Sequence, residues 1–238
     1  NASSNGEVIV YGADNSDEAK EVYNILTIPR GGQFHLVLSD GTAVWLNSES
    51  QLRYPVNFID GQTRKVELVY GEGYFAVSPS TKHNGSKFIV NNQSQEIEVL
   101  GTEFNIKAYK EEANIYTTLV EGKVVINTTN GKRELEPSQQ ANLNLNDNSI
   151  AIATVNVYNE ISWKDGVFSF RRKPLVEIMT VLSRWYDMDV NFEDPELEKA
   201  GFNGVLDKDQ NIEDILNAIK NFGVIKDYEI INKTILLK

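Results

Sequence analysis

The sequence contains no cysteine and only two histidines, His35 and His83, among 238 residues. Without thiols there are no disulfides, no cysteine nucleophile and no zinc site that needs sulfur, although this alone does not choose between the cytosol and an exported compartment. So few imidazoles leave few routes to a nucleophile–base pair or a metal centre. No cofactor and no metal is expected. Positive charge is also scarce: 23 Lys and Arg face 34 Asp and Glu, a formal net charge of −11. A field of that sign repels a phosphate backbone, so nucleic acid is not an expected partner. No apolar run approaches the ~18 residues of a membrane span, and no signal-peptide pattern opens the chain. The first residue is Asn1. We read the chain as a piece of a longer protein, with any targeting or anchoring segment outside it.

What is present suits a globular protein. The composition is 41% hydrophobic and 24% charged, enough apolar material to bury a core. At roughly 100 to 200 residues per domain, the length fits one large domain or a larger and a smaller one. The patterning favours two. Residues 1–22 are polar around a short apolar patch from Val8 to Tyr11 and read as a tether.

Residues 23–158 form short β-type runs separated by Gly31-Gly32, Asp40-Gly41, Asp60-Gly61, Asn84-Gly85, Glu121-Gly122 and Asn130-Gly131. Gly and Asn accept the positive φ at which hairpins reverse. Between turns the alternation has period two: Val66, Leu68 and Tyr70 oppose Lys65 and Glu67, and Phe104, Ile106 and Ala108 oppose Glu103, Asn105 and Lys107. Many such strands predict an all-β body, an antiparallel sandwich of jelly-roll-like type.

Residues 159–238 change period. Pro174 can occupy the first helical turn, and Leu175, Ile178, Met179, Leu182 and Tyr186 make an amphipathic stripe after it. A second helix follows Asn211, a good N-cap, with Ile212, Ile215, Leu216, Ile219 and Phe222 on one face and Gly223 at its end. Each helix has a Gly-Val start before it, Gly166-Val167 or Gly204-Val205, and a β-type run after it, Met188 to Phe192 or Tyr228 to Ile231. The tail is therefore a small duplicated βαβ domain, and the class is mainly β plus α+β. Both helices are expected on one face of a small sheet. Thr234 to Leu237 adds a last strand of unassigned partner.

Candidate chemistry is sparse. His35 is placed on the wet face of a strand and His83 in a polar turn, both as ordinary surface residues. Glu67 and Glu72 flank Tyr70 near Tyr74, but nothing sets the separation that a glycosidase pair requires. Gly71-Glu72-Gly73 lacks a following helix, so it reads as a turn or bulge and not a phosphate cradle. Arg171, Arg172 and Lys173 form the one notable basic cluster, and Arg184-Trp185-Tyr186 follows about one helix length later. Two readings stand for Arg171, Arg172, Arg184, Trp185 and Tyr186: a partner-binding patch, or solvated arginines around a core tryptophan.

A series of phrases runs through the body in order: Ile28-Pro29-Arg30-Gly31-Gly32, Leu38-Ser39-Asp40-Gly41-Thr42, Val44-Trp45-Leu46-Asn47-Ser48, Tyr54-Pro55 with Phe58, Gly71-Glu72-Gly73-Tyr74-Phe75, Val99-Leu100-Gly101-Thr102-Glu103-Phe104-Asn105, Leu119-Val120-Glu121-Gly122 and Leu135-Glu136-Pro137. In this order they resemble the FecR-like anti-sigma factors, the iron-dicitrate sensor family. The tail, with Trp163, Gly166, Phe170, Pro174-Leu175, Leu182 and Arg184-Trp185-Tyr186, is similar to the small domain that follows this body in Bacteroidetes-type members. Two positions depart from the family pattern: Gly73, where alanine is usual, and Ser138, where a Pro-Gly-Gln turn is common.

The resemblance implies a single-pass inner-membrane protein with this part in the periplasm. Its partners would be the signalling domain of an outer-membrane TonB-dependent transporter and, through an N-terminal cytoplasmic region outside this sequence, a sigma factor. The membrane would be met only through an anchor also outside it. The family brings one chemical prospect, self-cleavage at the matching Gly101-Thr102 bond, in which the Thr102 hydroxyl would attack the Gly101 carbonyl. The chain as a whole is not expected to be an enzyme. Two other classes stand beside signal transduction: a carbohydrate-binding sandwich using Trp45, Tyr54, Tyr70 and Tyr74, and a hydrolase.

Overall fold

The structure is a computed structural model that describes residues 2–4, 8–11 and 22–238, with side chains from residue 22 onward. The chain divides into two compact units. Residues 1–29 and 33–157 form the first, and residues 30–32 with 158–238 form the second.

The first unit holds β1 (Ala2–Ser4), β2 (Val8–Tyr11), β3 (Tyr23–Ile28), β4 (Phe34–Val37), β5 (Ala43–Leu46), β6 (Ser50–Pro55), β7 (Arg64–Ala76) and β8 (Phe88–Asn92). It continues with β9 (Gln95–Val99), β10 (Glu103–Ala108), β11 (Asn114–Glu121), β12 (Val124–Thr128), β13 (Gly131–Leu135), β14 (Gln139–Asn144) and β15 (Ile150–Thr154). One branch of the sheet runs β1-β2-β4-β5-β7-β10-β11-β14-β15. The other runs β3-β6-β7-β8-β9-β12-β13. Pairing is antiparallel apart from β2 on β4 and β7 on β8. Val44, Leu46, Phe104 and Ile106 from the first branch share one buried cluster with Leu52, Val66, Leu68, Val90 and Ile126 from the second. The body is thus a sandwich of two layers joined at β7.

The joint has a local cause. Val66 and Leu68 point into the core in the first half of β7, whereas Phe75 does so in the second, a change of frame by one residue. The change falls at Gly71, which has φ of 97° and whose added Cβ would stand 2.4 Å from Ser50 Cα. The facing pair of strands shifts register between Gln51 and Leu52. This is a β-bulge, and it lets one strand serve both layers. A buried ion pair secures the same strand: Arg64 Nη1 lies 2.7 Å from Asp40 Oδ2, and the guanidinium also donates to the Ser78 and Ser86 carbonyls.

One expectation needs amendment here. Strands β1 and β2 lie within the stretch read as a polar tether, and the apolar run Val8–Tyr11 explains why β2 joins the sheet; the rest of that stretch falls outside the described residues. Ser138 sits at φ of 68°, a left-handed position that glycine adopts more easily than serine.

The second unit contains α1 (Val157–Ile161), a 3-10 turn at Ser162–Asp165, β16 (Val167–Pro174), α2 (Leu175–Tyr186) and β17 (Asp189–Phe192). After a 3-10 turn at Pro195–Lys199 come β18 (Gly201–Asp207), α3 (Ile212–Asn221), β19 (Tyr228–Ile231) and β20 (Thr234–Leu237). Pro174 is the N-cap of α2, and Asn211 caps α3 by accepting from the Glu213 N–H. The β-α-β order occurs twice, but its strands do not share a sheet. The two leading strands pair with each other, β16 on β18, while the trailing strands β17 and β19 flank β20. The last strand, unassigned from sequence, is the centre of its sheet, parallel to β17 and antiparallel to β19. Gly204 does not begin a strand: it lies inside β18 opposite Phe170, with the Phe202 ring over it.

Candidate functional site

Pro174 and the α2 stripe decide where the sequence-derived binding residues point. Ile178, Leu182 and Trp185 follow one another at helical spacing, so Trp185 continues the apolar face. It is 5% exposed and packs against Phe168, while Arg184 is 3% exposed. Both are interior residues: Trp185 is the core tryptophan of the second reading, whereas Arg184 is neither a solvated arginine nor part of an exposed partner-binding patch. Tyr186 is half-buried and donates its hydroxyl to the Gln210 carbonyl at 2.7 Å. Burial, with Asp207 and Asp209 nearby, raises its phenol above the ordinary value.

Arg171 and Arg172 do face solvent. They occupy an irregularity in the β16–β18 ladder between Phe170 and Lys173, where Arg172 has φ of 52° and its N–H donates to Asn203 Oδ1 at 2.6 Å. A bulge of this kind re-aims side chains outward.

The exposed apolar residues of this unit were not anticipated. Phe222 is 75% exposed, Val205 65% and Ile231 60%. Phe222 belongs to the helical stripe by spacing, but α3 stops at Asn221 and Gly223 turns the chain, so the ring meets Phe202 edge-on at 6.0 Å and stays largely in water. Strands β17 and β19 each pair only with β20 among the described residues. A small sheet with outer strands on both sides, one of them carrying the exposed Ile231, suits a protein surface that adds a strand, and the exposed Phe222 and Val205 of the same unit suit apolar anchoring.

The Gly101-Thr102 bond lies in the first unit where three connections converge. Gly101 has φ of 151° and no room for a Cβ, which would stand 2.9 Å from Pro79 Cα. A Cβ on Gly122 would be 2.8 Å from Thr102 Oγ1. The buried Thr102 hydroxyl donates to the Lys123 carbonyl at 3.0 Å, and the Val77 N–H donates to the Thr102 carbonyl at 3.0 Å. A hydroxyl attacks well when a base takes its proton. Here the acceptor is a backbone carbonyl, and the observed role of the hydroxyl is to staple the turn at Lys123.

Other candidates resolve into structural roles. His35 stacks on Trp45 with centroids 4.2 Å apart, and burial lowers its imidazole below the ordinary value. His83 Nε2 meets Ser78 Oγ at 2.8 Å. Glu67 pairs with Arg53 at 3.7 Å. Glu72, beyond the bulge, is buried and accepts from Asn47 Nδ2 at 2.9 Å and Asn105 Nδ2 at 3.0 Å. Burial raises its carboxyl above the ordinary range against the pull of Lys107 and the two amides. The four rings of the carbohydrate reading make no platform: Tyr54 belongs to the core, Tyr74 is buried with its hydroxyl on Glu103, Lys110 covers Tyr70 at 3.7 Å, and Trp45 packs against His35 and Tyr74. No group of three or more His, Asp or Glu that could hold a metal occurs among the described residues.

The architecture is a two-layer sandwich followed by a split α+β unit whose three-stranded sheet has β17 and β19 as its outer strands. Residues 24–125 match the model of the FecR protein family, and residues 167–237 match that of the FecR C-terminal region. Two crystal structures of a protein assigned as an anti-sigma factor from Parabacteroides distasonis ATCC 8503 are similar over nearly the whole chain. Both have TM-score 0.79 and 28% identity; one covers 91% of this chain and 98% of that one, the other 90% and 98%. No curated protein matches. The chain belongs to the FecR-like anti-sigma factors, a regulatory and non-enzymatic class. Proteins of this family are membrane-anchored regulators. No helix among the described residues is long and apolar enough to cross a membrane.

Proposed function

We propose that this chain is the periplasmic region of a single-pass inner-membrane anti-sigma regulator. Its second unit binds the signalling domain of an outer-membrane TonB-dependent transporter, and the signal is relayed to a cytoplasmic sigma factor. The observation that carries this reading is the second unit itself. It combines outer strands on both sides of a small sheet with Phe222, Val205 and Ile231 in solvent, the combination that strand addition and apolar anchoring use. Arg171 and Arg172 supply the exposed basic rim.

Isothermal calorimetry of the 238-residue chain against the cognate signalling domain tests it. The expected result is a saturable one-to-one heat with a micromolar or tighter constant. Silence at high micromolar concentrations of both proteins, each shown to be folded, would overturn it. The Gly101-Thr102 bond is addressed by intact mass. A single species of full mass keeps Thr102 as a staple, whereas a fragment ending at Gly101 adds self-processing to the function.

A further inference from the structure

Strand β15 ends one branch of the body's sheet and pairs only with β14 among the described residues. The Val155 N–H donates to the Ser138 carbonyl and the Asn144 N–H to the Ser149 carbonyl, both at 2.9 Å. Bonding alternates along an antiparallel ladder, so Ala151 and Ala153 direct their backbone groups at β14. Ile150, Ile152 and Thr154 therefore turn theirs outward. Opposite residues of a ladder share a face, and Ile150 and Ile152 stand opposite Leu143 and Ala141 of the core cluster. Ile150 packs against that cluster, whereas Ile152 is 39% exposed. The core row of this layer runs off the sheet at Ile152.

The same edge lacks the charge that usually guards an outer strand. In a chain that is 24% charged, Asp147 is the only charged residue from Ser138 to Tyr158. Elsewhere on the body, β13 presents Lys132, Arg133 and Glu134 to solvent, and at β3 the Arg53 guanidinium lies over the Tyr23 ring at 3.7 Å. We propose that β15 pairs with β15 of a second copy of this chain, antiparallel and about a two-fold axis at Ile152. Each Ile152 then meets its counterpart, Ile150 meets Thr154 and Ala151 meets Ala153. The outward backbone groups of Ile150, Ile152 and Thr154 bond across the axis, and the apolar row continues from one copy into the other. Further out, Ser149 meets Val155 and Asn148 meets Asn156, so no like charges oppose each other.

Charge selects a second copy as the occupant. Chains of net charge −11 repel each other, and this neutral edge is complementary to itself. Both copies use the same edge, so the pairing closes at a dimer and does not propagate. A strand of five residues buries less than a standard interface, and the dissociation constant is expected on the order of 0.1 mM.

Sedimentation velocity of the full chain, from low micromolar to near-millimolar concentration, tests the pairing without any other protein. A monomer–dimer equilibrium is expected, and it tightens as added salt screens the repulsion between copies. Ile152→Lys and Ile152→Asp, each setting like charges face to face, should each weaken the dimer about tenfold, with melting curves confirming the fold. An equimolar mixture of the two variants should restore it, which neither unfolding nor a contact elsewhere would produce. A chain that stays monomeric throughout, species that keep growing with concentration, or a dimer indifferent to Ile152→Lys would overturn the pairing. So would a monomeric chain that loses its calorimetric heat with the transporter signalling domain on Ile152→Lys, since the edge would then belong to that partner. Silence in calorimetry by the unaltered chain bears on the second unit alone and leaves the dimer to be judged by sedimentation.

Discussion

The two units bury their apolar residues in different ways. The body has one continuous cluster fed by both layers, with Leu36, Val44, Leu68, Phe75, Phe88 and Phe104 fully inside. The second unit divides its strands between a pair and a triplet, takes a helix cap from a distant loop, and leaves Phe222 in water. A large core tolerates polar insertions such as Asp40–Arg64 because everything around them is held. A small unit with open edges has less to hold it, and elements of that kind supply binding surfaces.

The largest effects should come from the two interiors. Trp185→Ala is expected to cost about 3–5 kcal/mol in the transition of the second unit, because a large buried ring leaves a cavity. A loss below about 1 kcal/mol by chemical denaturation would return Trp185 to the surface. Asp40→Ala should cost the body about 3–5 kcal/mol, since Arg64 stays buried without its carboxylate. By contrast Lys199→Ala, in a pair whose side chains are 74% and 77% exposed, should change stability by less than about 0.5 kcal/mol. Equal effects of Asp40→Ala and Lys199→Ala would erase the distinction drawn between the buried ion pair of the body and the exposed one of the second unit.

Gly71→Ala comes next, at about 2–4 kcal/mol, because it combines a positive φ with overlap on Ser50. Near-wild-type melting would mean that the bulge relaxes and is not the joint between layers. Phe222→Ala should move stability by less than about 1 kcal/mol while weakening binding of the transporter signalling domain about tenfold or more. Undiminished affinity would move the contact elsewhere on the unit.

The smallest and most diagnostic effect concerns pH. Asn47 already accepts from Ser48 N–H and Gln33 Nε2 through its oxygen, so its amide N–H is directed at Glu72. Burial still dominates and raises the Glu72 carboxyl. The folded state thus holds that proton more tightly than the unfolded chain does. The contribution of Glu72 is most favourable below the ordinary carboxylate range and declines as pH rises through the elevated value. The advantage in melting temperature of the wild type over Glu72→Gln should therefore shrink with rising pH. A constant difference from about pH 4 to about pH 8 would show that the amides and Lys107 offset burial, and a growing one that they outweigh it.

Much of the body was legible because strand alternation and Gly-containing turns are local: the inward faces around Val66, Leu68, Phe104 and Ile106 follow from period two. The helices of the tail were legible for the same reason, with α2 and α3 starting where Pro174 and Asn211 predict. The binding surface was not. Arg184 and Trp185 were grouped with Arg171 and Arg172 by nearness in sequence, but a helix and a bulged strand turn their side chains to different environments. Phe222 fits the stripe, and only the stop at Asn221 releases it.

The sequence by itself determined the class of each region, the absence of thiol chemistry, the negative field and the family, because composition, period and ordered phrases are properties of the chain alone. Tertiary structure decided the rest. It placed the change of frame at Gly71, paired β16 with β18 and β17 with β20, and set Arg30 on the end of α2. Each is a contact between segments far apart in sequence, settled by the competition of all strands and caps for partners, which no local pattern encodes.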